Sequence, residues 1–427
     1  MRRVLVLLAL TAALASGPVA AALPKPPPPT PVPVPCSSPS GVCISPSPFP
    51  TELHTPPPST EPPEISAPAA IVEDLSTGQV LFARDADEER PLASTTKIMT
   101  ALLVLERARP DDEVTIGADA AEEGSAGAGF SELGLRQGER LTVEELLFAL
   151  MLQSSNDAAI ALADHVSGSE DAFVQDMNAR ARAMGLRHTV FFSPNGLDDR
   201  GHSTAREMAA ITREAMARPE FADVVGQRFD TIPAPAGPAR RVQNRNVLLW
   251  LYRGATGVKT GYTSAAGFCL VASADREGRG VVAVVLDAPS TEDSFDDAAT
   301  LLDYAFTGYS VHTLVRQGQS FRPLPMGTKR IPVEAAAGLA RLLPEPAGRV
   351  AQRIRILPGI RSPIDPGRRV GTVIFRAGHL QVGSVPLVAA GSPTGAGGAG
   401  DGQAPWWARG LGSVAQLSLD ALFGLFG

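Results

Sequence analysis

The stretch Pro91-Leu92-Ala93-Ser94-Thr95-Thr96-Lys97-Ile98-Met99 sets a hydroxyl and an amine three residues apart, ahead of an apolar run of Ile98, Met99 and Ala101 to Leu105. If that run is helical, Ser94 stands at the helix start and Lys97 lies one turn later on the same face. A serine hydroxyl becomes a useful nucleophile when a neighbouring base takes its proton. A lysine in an apolar, semi-enclosed place can be that base, because desolvation disfavours its charged form. The unpaired N–H groups of a helix start also favour developing negative charge. The same residues equally describe a serine cap with an ordinary lysine behind it, so the motif needs support from elsewhere in the chain.

The first support is compositional. The 427 residues include only four lysines (Lys25, Lys97, Lys259 and Lys329) against 34 arginines. Arginine cannot give up its proton and lysine can, so Lys97 and Lys259 stand out, whereas Lys25 sits in a proline-rich stretch. A net charge of −7 argues against nucleic acid as a partner, and a 44% apolar content is ample for a core.

Met1-Arg2-Arg3, the apolar Val4 to Ala15 and Ala20-Ala21-Ala22 have the layout of a secretory signal over residues 1–22, too short to span a bilayer. No Leu-x-x-Cys pattern precedes Cys36, so lipid attachment is not expected there. Export implies an oxidising compartment, in which Cys36 and Cys43 either pair or stay free; Cys269, in an apolar run, reads as a buried thiol.

Residues 23–65 are dominated by proline and serine and read as an extended linker. Order is expected from Ser66. Ala69 to Val72 and Gln79 to Phe82 flank Ser76-Thr77-Gly78 as a hairpin. Helices are expected from Ser94 to before Pro110, over Thr142 to Leu152, over Ala158 to Val166, from a capping box at Ser167-x-x-Glu170 to Gly185, and from Thr204-x-x-Glu207 to before Pro219. A strand is expected to open at Lys259 and continue to Val271. Gly267 to Ala274 and Val281 to Ala288 read as a second hairpin, and Ser294 to Ala305 as a closing helix. This order argues for an α+β catalytic domain over 66–309, an antiparallel sheet with a helical region on one side.

Residues 310–390 read as a small all-β domain, with twelve Lys/Arg against three Asp/Glu; the local charge is +9 and the remainder of the chain carries −16. Such an appendage suits an anionic surface of lipid headgroups or wall polymer, or is simply solvated arginine. Residues 391–404 form a Gly-rich linker. The apolar segment 405–427, with Trp406-Trp407 at its start and Gln416 and Asp420 within it, reads as an amphipathic helix lying on a membrane surface, or as a packed core helix.

Two further motifs supply chemistry. Ser154-Ser155-Asn156 is expected where a helix breaks; a second hydroxyl there can pass a proton to a leaving group, and an amide can hold a peptide bond. In Lys259-Thr260-Gly261 the lysine and threonine can grip a carboxylate, the glycine admits another backbone, and strand N–H groups can bind an oxyanion. The three motifs in this order are the signature shared by β-lactamases and penicillin-binding proteins. With Leu-Gln-Ser154-Ser155-Asn156-Asp157-Ala158, His202-Ser203-Thr204-Ala205, Gln243-Asn244-Arg245-Asn246 and Gly257-Val258-Lys259-Thr260-Gly261, the chain from about Ser66 to Ala390 resembles the serine D-alanyl-D-alanine carboxypeptidases, the low-molecular-mass penicillin-binding proteins.

That resemblance implies a β-lactamase/transpeptidase-like fold, a peptidoglycan stem peptide ending in D-Ala-D-Ala as substrate, acylation by β-lactams, a β-rich second domain and a C-terminal anchor. It implies Ser94 as nucleophile, Lys97 as its base, Ser154 and Lys259 as a proton relay to the leaving D-alanine, and Asn156 as the group that orients the substrate amide. The backbone N–H groups of Ser94 and Tyr262 would form the oxyanion hole beside Gly261, and Thr260 and Arg245 would hold the terminal carboxylate. No metal or other cofactor is expected. The chain departs from the pattern at Ser155, where relatives often carry glycine, and at Tyr262, where many carry histidine. A β-lactamase would need a glutamate after Ser-x-Asn, and none occurs between Glu170 and Glu207. A non-catalytic penicillin sensor or wall-binding module is the other alternative. No Gly-x-Ser-x-Gly elbow is present; His202 reads as loop support, and Asp198-Asp199 as a turn cap after Asn195-Gly196.

Overall fold

Asp74 shows how the first hairpin is made. Its Oδ1 accepts from Ser76 Oγ and from Thr77 N (2.6 and 2.8 Å), while Gly78 at φ +65 turns the chain back and donates to Asp74 O. An Asx-type turn of this kind joins β1 (Ala69–Asp74) to β2 (Val80–Arg84). The computed structural model describes residues 61–390, apart from 126–130, 236, 327–328, 361–362 and 379. The signal, both linkers, the C-terminal apolar segment, Cys36 and Cys43 lie outside the described residues.

The chain divides into two compact units at Gly308/Tyr309. In the first, β1 and β2 join β3 (Ala255–Thr263), β4 (Gly267–Arg276) and β5 (Arg279–Ala288) in one antiparallel sheet of order β2-β1-β5-β4-β3. The register pairs Ile71 with Val284 and Val271 with Lys259. Val281 to Leu286 are wholly buried, so both faces of the central strands are covered. Helices over Ala205–Met216 and Thr291–Gly308 both pack on β1 and β5. Helical cover is therefore not confined to one side.

Four helices, numbered in chain order, bear on the site: α1 (Lys97–Arg107), α2 (Val143–Phe148), α3 (Asn156–Ser167) and α4 (Glu170–Ala183). Helix α1 is buried from Lys97 through Val104, on all sides, which makes it the pillar of the unit.

Several boundaries differ from expectation. Lys259 does not open a strand: it is the fifth residue of β3, and the run toward Val271 is broken by a turn into β4. The Thr142 helix carries a full capping box with Glu145, but its last turn, Ala149–Gln153, winds as π-helix. Gly168, left-handed at φ +82, ends α3, so the cap of α4 is Ser169, which accepts from Ala172 N, and Ser167 instead donates to Asp176. Thr204 does cap its helix, accepting from Glu207 N. Pro219 stops that helix by starting another, Pro219–Gly226, at a position where its missing N–H costs nothing. Among the described residues no helix is long and apolar enough to cross a membrane.

The second unit is all β. Strands β6 (Tyr309–Val315) and β7 (Leu339–Pro344) pair, as the antiparallel register Val311 to Leu342 shows. A five-stranded sheet encloses a core that includes Val333, Val373, Phe375 and Leu387. Three of its strands, numbered on from these, are β8 (Val350–Ile356), β9 (Arg369–Ala377) and β10 (Leu380–Ala389); they pair in that order and β8 is an edge.

Candidate active site

Ser94 sits in a single 3-10 turn, Ala93–Thr96, that leads straight into α1. Ala93 is held at φ +48, a conformation that L-residues rarely adopt, and Thr95 ties the turn by donating from both N and Oγ1 to Leu92 O. Lys97 is the first residue of α1 and has no exposed surface. Its Nζ reaches three oxygens: Ser94 Oγ at 3.1 Å, Asn156 Oδ1 at 2.8 Å and Asn195 O at 2.6 Å.

Those three contacts decide what the amine can do. Burial, with the Arg245 guanidinium, pushes the Lys97 amine down to about 7, against the pull of Glu123, Asp157 and Glu132. A neutral amine has two N–H donors and one lone pair. Asn156 Oδ1 and Asn195 O are pure acceptors and take the two N–H groups. The lone pair is left facing Ser94 Oγ, whose hydroxyl then donates to it.

The second motif is presented by the π turn. A π turn inserts one residue per turn beyond the α-helix and often marks a functional position. Here it ends at Ser154, left-handed at φ +70, and α3 starts at Asn156. Ser154 Oγ and Ser155 Oγ are buried and have no hydrogen-bond partner among the described residues. Asn156 N donates to Ser131 O, so the start of α3 is tied to the chain at Ser131.

The third motif lies on an edge strand. Gly261 of β3 passes so close to the serine turn that a Cβ there would stand 3.1 Å from Ser94 N and from Thr95 N. Lys259 is buried, with Nζ donating to Thr260 O at 2.9 Å; burial first, then repulsion from Lys97 and Arg245, holds it well below the usual lysine range. Arg245 Nη1 donates to Ser131 Oγ at 3.1 Å, and burial lowers the guanidinium to about 10. Tyr262 is 56% exposed and stacks on Phe268 at 4.4 Å between centroids. The structure thus joins Ser94, Lys97 and Asn156 directly and brings Gly261 against the serine turn. It couples Lys259 and Arg245 to Lys97 through charge and, among the described residues, shows no hydrogen bond from Thr260 or Ser154 to Ser94.

Sequence reasoning missed two groups. Asn195, read only as part of a turn, supplies a carbonyl to Lys97. Gly196 beside it has φ +81, and a Cβ there would lie 1.9 Å from Ala93 O. Asp157, fully buried, accepts from the backbone N–H groups of Leu133, Gly134, Leu135 and Ala158; burial raises its carboxyl while these donors oppose the rise. The signal for Asp157 was its place directly after Ser-x-Asn; a carbonyl contact such as that of Asn195 leaves no residue-type signal. Asp198 and Asp199 are engaged with Arg200 and Thr263, and His202 exchanges backbone hydrogen bonds with Val190. Cys269 is a buried free thiol, pushed up to about 12 by desolvation. Among the described residues no group of His, Cys, Asp and Glu could hold a metal ion.

A serine in contact with a buried lysine of lowered proton affinity, beside an edge strand of a five-stranded antiparallel sheet, defines a serine hydrolase of the penicillin-binding type. The family model described as D-alanyl-D-alanine carboxypeptidase matches residues 57–290. D-alanyl-D-alanine carboxypeptidase DacF of Bacillus subtilis is 31% identical over 334 residues, covering 76% of this chain and 85% of that protein. The crystal structure of D-alanyl-D-alanine carboxypeptidase DacD from Francisella tularensis aligns with TM-score 0.65 at 26% identity, over 80% of this chain and 96% of that one. Penicillin binding protein 5 from Haemophilus influenzae aligns with TM-score 0.66 at 28% identity, over 77% and 98%. The chain belongs to the D-alanyl-D-alanine carboxypeptidase family and is a serine-type peptidase.

Proposed function

We propose that the protein removes the terminal D-alanine of peptidoglycan stem peptides in two steps carried by Ser94. Ser94 Oγ attacks the carbonyl carbon of the penultimate D-alanine while its proton passes to Lys97 Nζ. The observation that carries this reading is Lys97 Nζ, buried and held 3.1 Å from Ser94 Oγ by its contacts to Asn156 Oδ1 and Asn195 O. The tetrahedral oxyanion would be met by the N–H groups of Ser94 and Tyr262. As the C–N bond breaks, the departing amine takes a proton by way of Ser154 Oγ and Lys259, and the acyl group stays on Ser94 as an ester. D-alanine leaves as the first product with the proton that Lys97 took from Ser94, so Lys97 is neutral again. Water then attacks the ester with Lys97 as base, the proton returns to Ser94 Oγ as the ester bond breaks, and the shortened peptide leaves as the second product.

Asn156 would orient the scissile amide, and Arg245 with Thr260 would hold the terminal carboxylate. The lowered proton affinity of Lys97 and Lys259 keeps cationic repulsion small without a substrate, and a bound carboxylate would offset what remains. An extended peptide suits the open edge of β3, along which main-chain groups can pair. A β-lactam would acylate Ser94 by the same attack. No glutamate occurs between Glu170 and Glu207, the stretch where a β-lactamase would carry the one that activates its deacylating water, and this favours the carboxypeptidase reading.

The signal-like residues 1–22 and the apolar segment 405–427 with its paired tryptophans support action outside the cytoplasmic membrane, with that segment resting on the membrane surface. Free D-alanine released from a D-Ala-D-Ala pentapeptide, measured beside covalent penicillin labelling, tests the catalytic reading. Ser94→Ala is expected to abolish both. Full labelling of that variant would overturn the assignment of the nucleophile, and labelling of the wild type without D-alanine release would favour the sensor alternative.

A further inference from the structure

Arg245 is anchored at its base by several bonds and at its tip by one. Its N donates to Leu152 O of the π turn at 3.2 Å. The residues on either side are buried asparagines. Asn244 Nδ2 donates to Val225 O and Gln227 O, and Asn246 Nδ2 donates to Gly257 O of β3. Asn244 Oδ1 also accepts from Asn246 N, which closes the backbone around Arg245. The guanidinium has one hydrogen bond among the described residues, Nη1 to Ser131 Oγ at 3.1 Å, and Nη2 is buried without a partner.

Ser131 is fastened in turn. Its O accepts from Asn156 N at 2.7 Å, and the neighbouring Glu132 O accepts from Gln153 Nε2 at 2.8 Å. The Asp157 carboxylate then takes the N–H groups of Leu133, Gly134 and Leu135. Serine has a single side-chain torsion between heavy atoms, so a fixed backbone leaves its hydroxyl few positions. The kind of partner also matters. A carboxylate would offset the charge of the guanidinium, whereas a hydroxyl accepts the hydrogen bond and adds no charge. Glu132 is the acid whose field favours the Arg245 cation, and it makes no hydrogen bond to the guanidinium. Arg245 is thus held in place with its charge left for a ligand.

We propose that Ser131 is a positioning residue of the reaction, its hydroxyl aiming the Arg245 guanidinium at the terminal carboxylate of the substrate. The inference rests on the reading of Arg245 as a holder of that carboxylate. A binding group ordered before the substrate arrives need not be ordered at the moment of binding. Through its carbonyl Ser131 also reaches the acylating groups, because Asn156, whose N it holds, contacts Lys97. Ser131→Ala removes the hydroxyl and keeps that carbonyl, so the two duties can be separated.

The test uses the full chain and two thioesters of one N-acyl-D-alanine, with thioglycolate or ethanethiol as the leaving thiol. Ser94 attack expels the thiol from either and leaves the same acyl-enzyme. Only thioglycolate carries a carboxylate, spaced from the scissile bond as in D-alanine. Thiol release gives kcat/KM for each, and the melting temperature checks that every variant is folded. Wild type is expected to prefer the thioglycolate donor. Ser131→Ala should lower that preference about tenfold or more, the worth of a hydrogen bond to a charged group, with the loss falling on the thioglycolate donor. Ser131→Thr keeps the hydroxyl and should keep the preference. In an Arg245→Ala background Ser131→Ala should change the preference no further, since it acts through the arginine. Equal loss with both donors would overturn the proposal, as would a loss that adds in full to that of Arg245→Ala. Full preference in Ser131→Ala, with Arg245→Ala losing it, would sink the proposal alone. A preference that survives Arg245→Ala would sink the carboxylate reading of Arg245 and the proposal with it.

Discussion

Gly196→Ala puts the architecture of the serine turn under direct strain. Gly196 sits at φ +81, and an added Cβ would meet Ala93 O at 1.9 Å and Thr96 Oγ1 at 2.9 Å. The left-handed conformation alone costs an L-residue about 1 kcal/mol. The overlap is the larger cost: comfortable contact needs roughly 3.5 Å, so two backbones must part by about 1.5 Å, and forced overpacking of this kind costs ~2–3 kcal/mol. The sum, about 3–4 kcal/mol, lowers the melting temperature of a unit this size by roughly 6–16 °C. The displaced backbone carries Asn195 O, which positions Lys97, and a misplacement near 1 Å is worth about 100-fold in rate. Gly185→Ala is the control. Gly185 has nearly the same φ (+78), with nothing within 4 Å of an added Cβ. It should show the conformational cost alone, about 2–4 °C, and normal acylation. Calorimetry with fluorescent-penicillin acylation reads both quantities. Equal melting shifts for the two variants, with Gly196→Ala acylating at the wild-type rate, would refute the reasoning.

The acylation rate of wild type should climb about tenfold per pH unit below pH 7 and level off above it, because Lys97 must be neutral to accept the Ser94 proton and its proton affinity is lowered to about 7; a midpoint near the ordinary lysine value of 10.5 would refute this. The same group binds fewer protons in the folded state than unfolded between about 7 and 10.5, so its contribution to stability rises with pH across that window. Lys97→Arg retains the charge and cannot give up the proton, so acylation should vanish at every pH tested. Asp157→Ala strands backbone donors at Leu133, Gly134 and Leu135 and should cost about 3 kcal/mol by denaturant titration, with Asp157→Asn milder; no loss in either would show that the clamp is idle.

Residue types and their order were legible in the sequence because chemistry constrains them: a hydroxyl beside a scarce lysine, a helix break, a lysine beside a glycine. The α+β class followed from periodicity and turn residues, as at Asp74 to Gly78. Legibility failed where geometry depended on partners distant in sequence. Lys259 looks like a strand start because Gly254, Ala255 and Gly257 before it are weak strand formers, yet pairing with β4 carries the strand back to Ala255. The π turn over Ala149–Gln153 has the composition of any apolar helix; packing, not propensity, sets its winding. Asn195 acts through a carbonyl that every residue possesses.

The order of the central sheet has a consequence for how the enzyme comes into being. β1 pairs with β5, so Ala69 must find Leu286 across more than two hundred residues before the sheet closes. The nucleophile, at Ser94, follows the first hairpin, while the strand that lies against it arrives from residues 255–263. Contacts of such span form late, since chain closure must precede any return on them. A chain still in transit holds its serine and lysine near each other in sequence but lacks the edge strand and the Asn195 carbonyl. Penicillin capture during refolding should therefore lag behind helix formation and keep pace with sheet closure, making the drug a chemical clock for the last step of assembly.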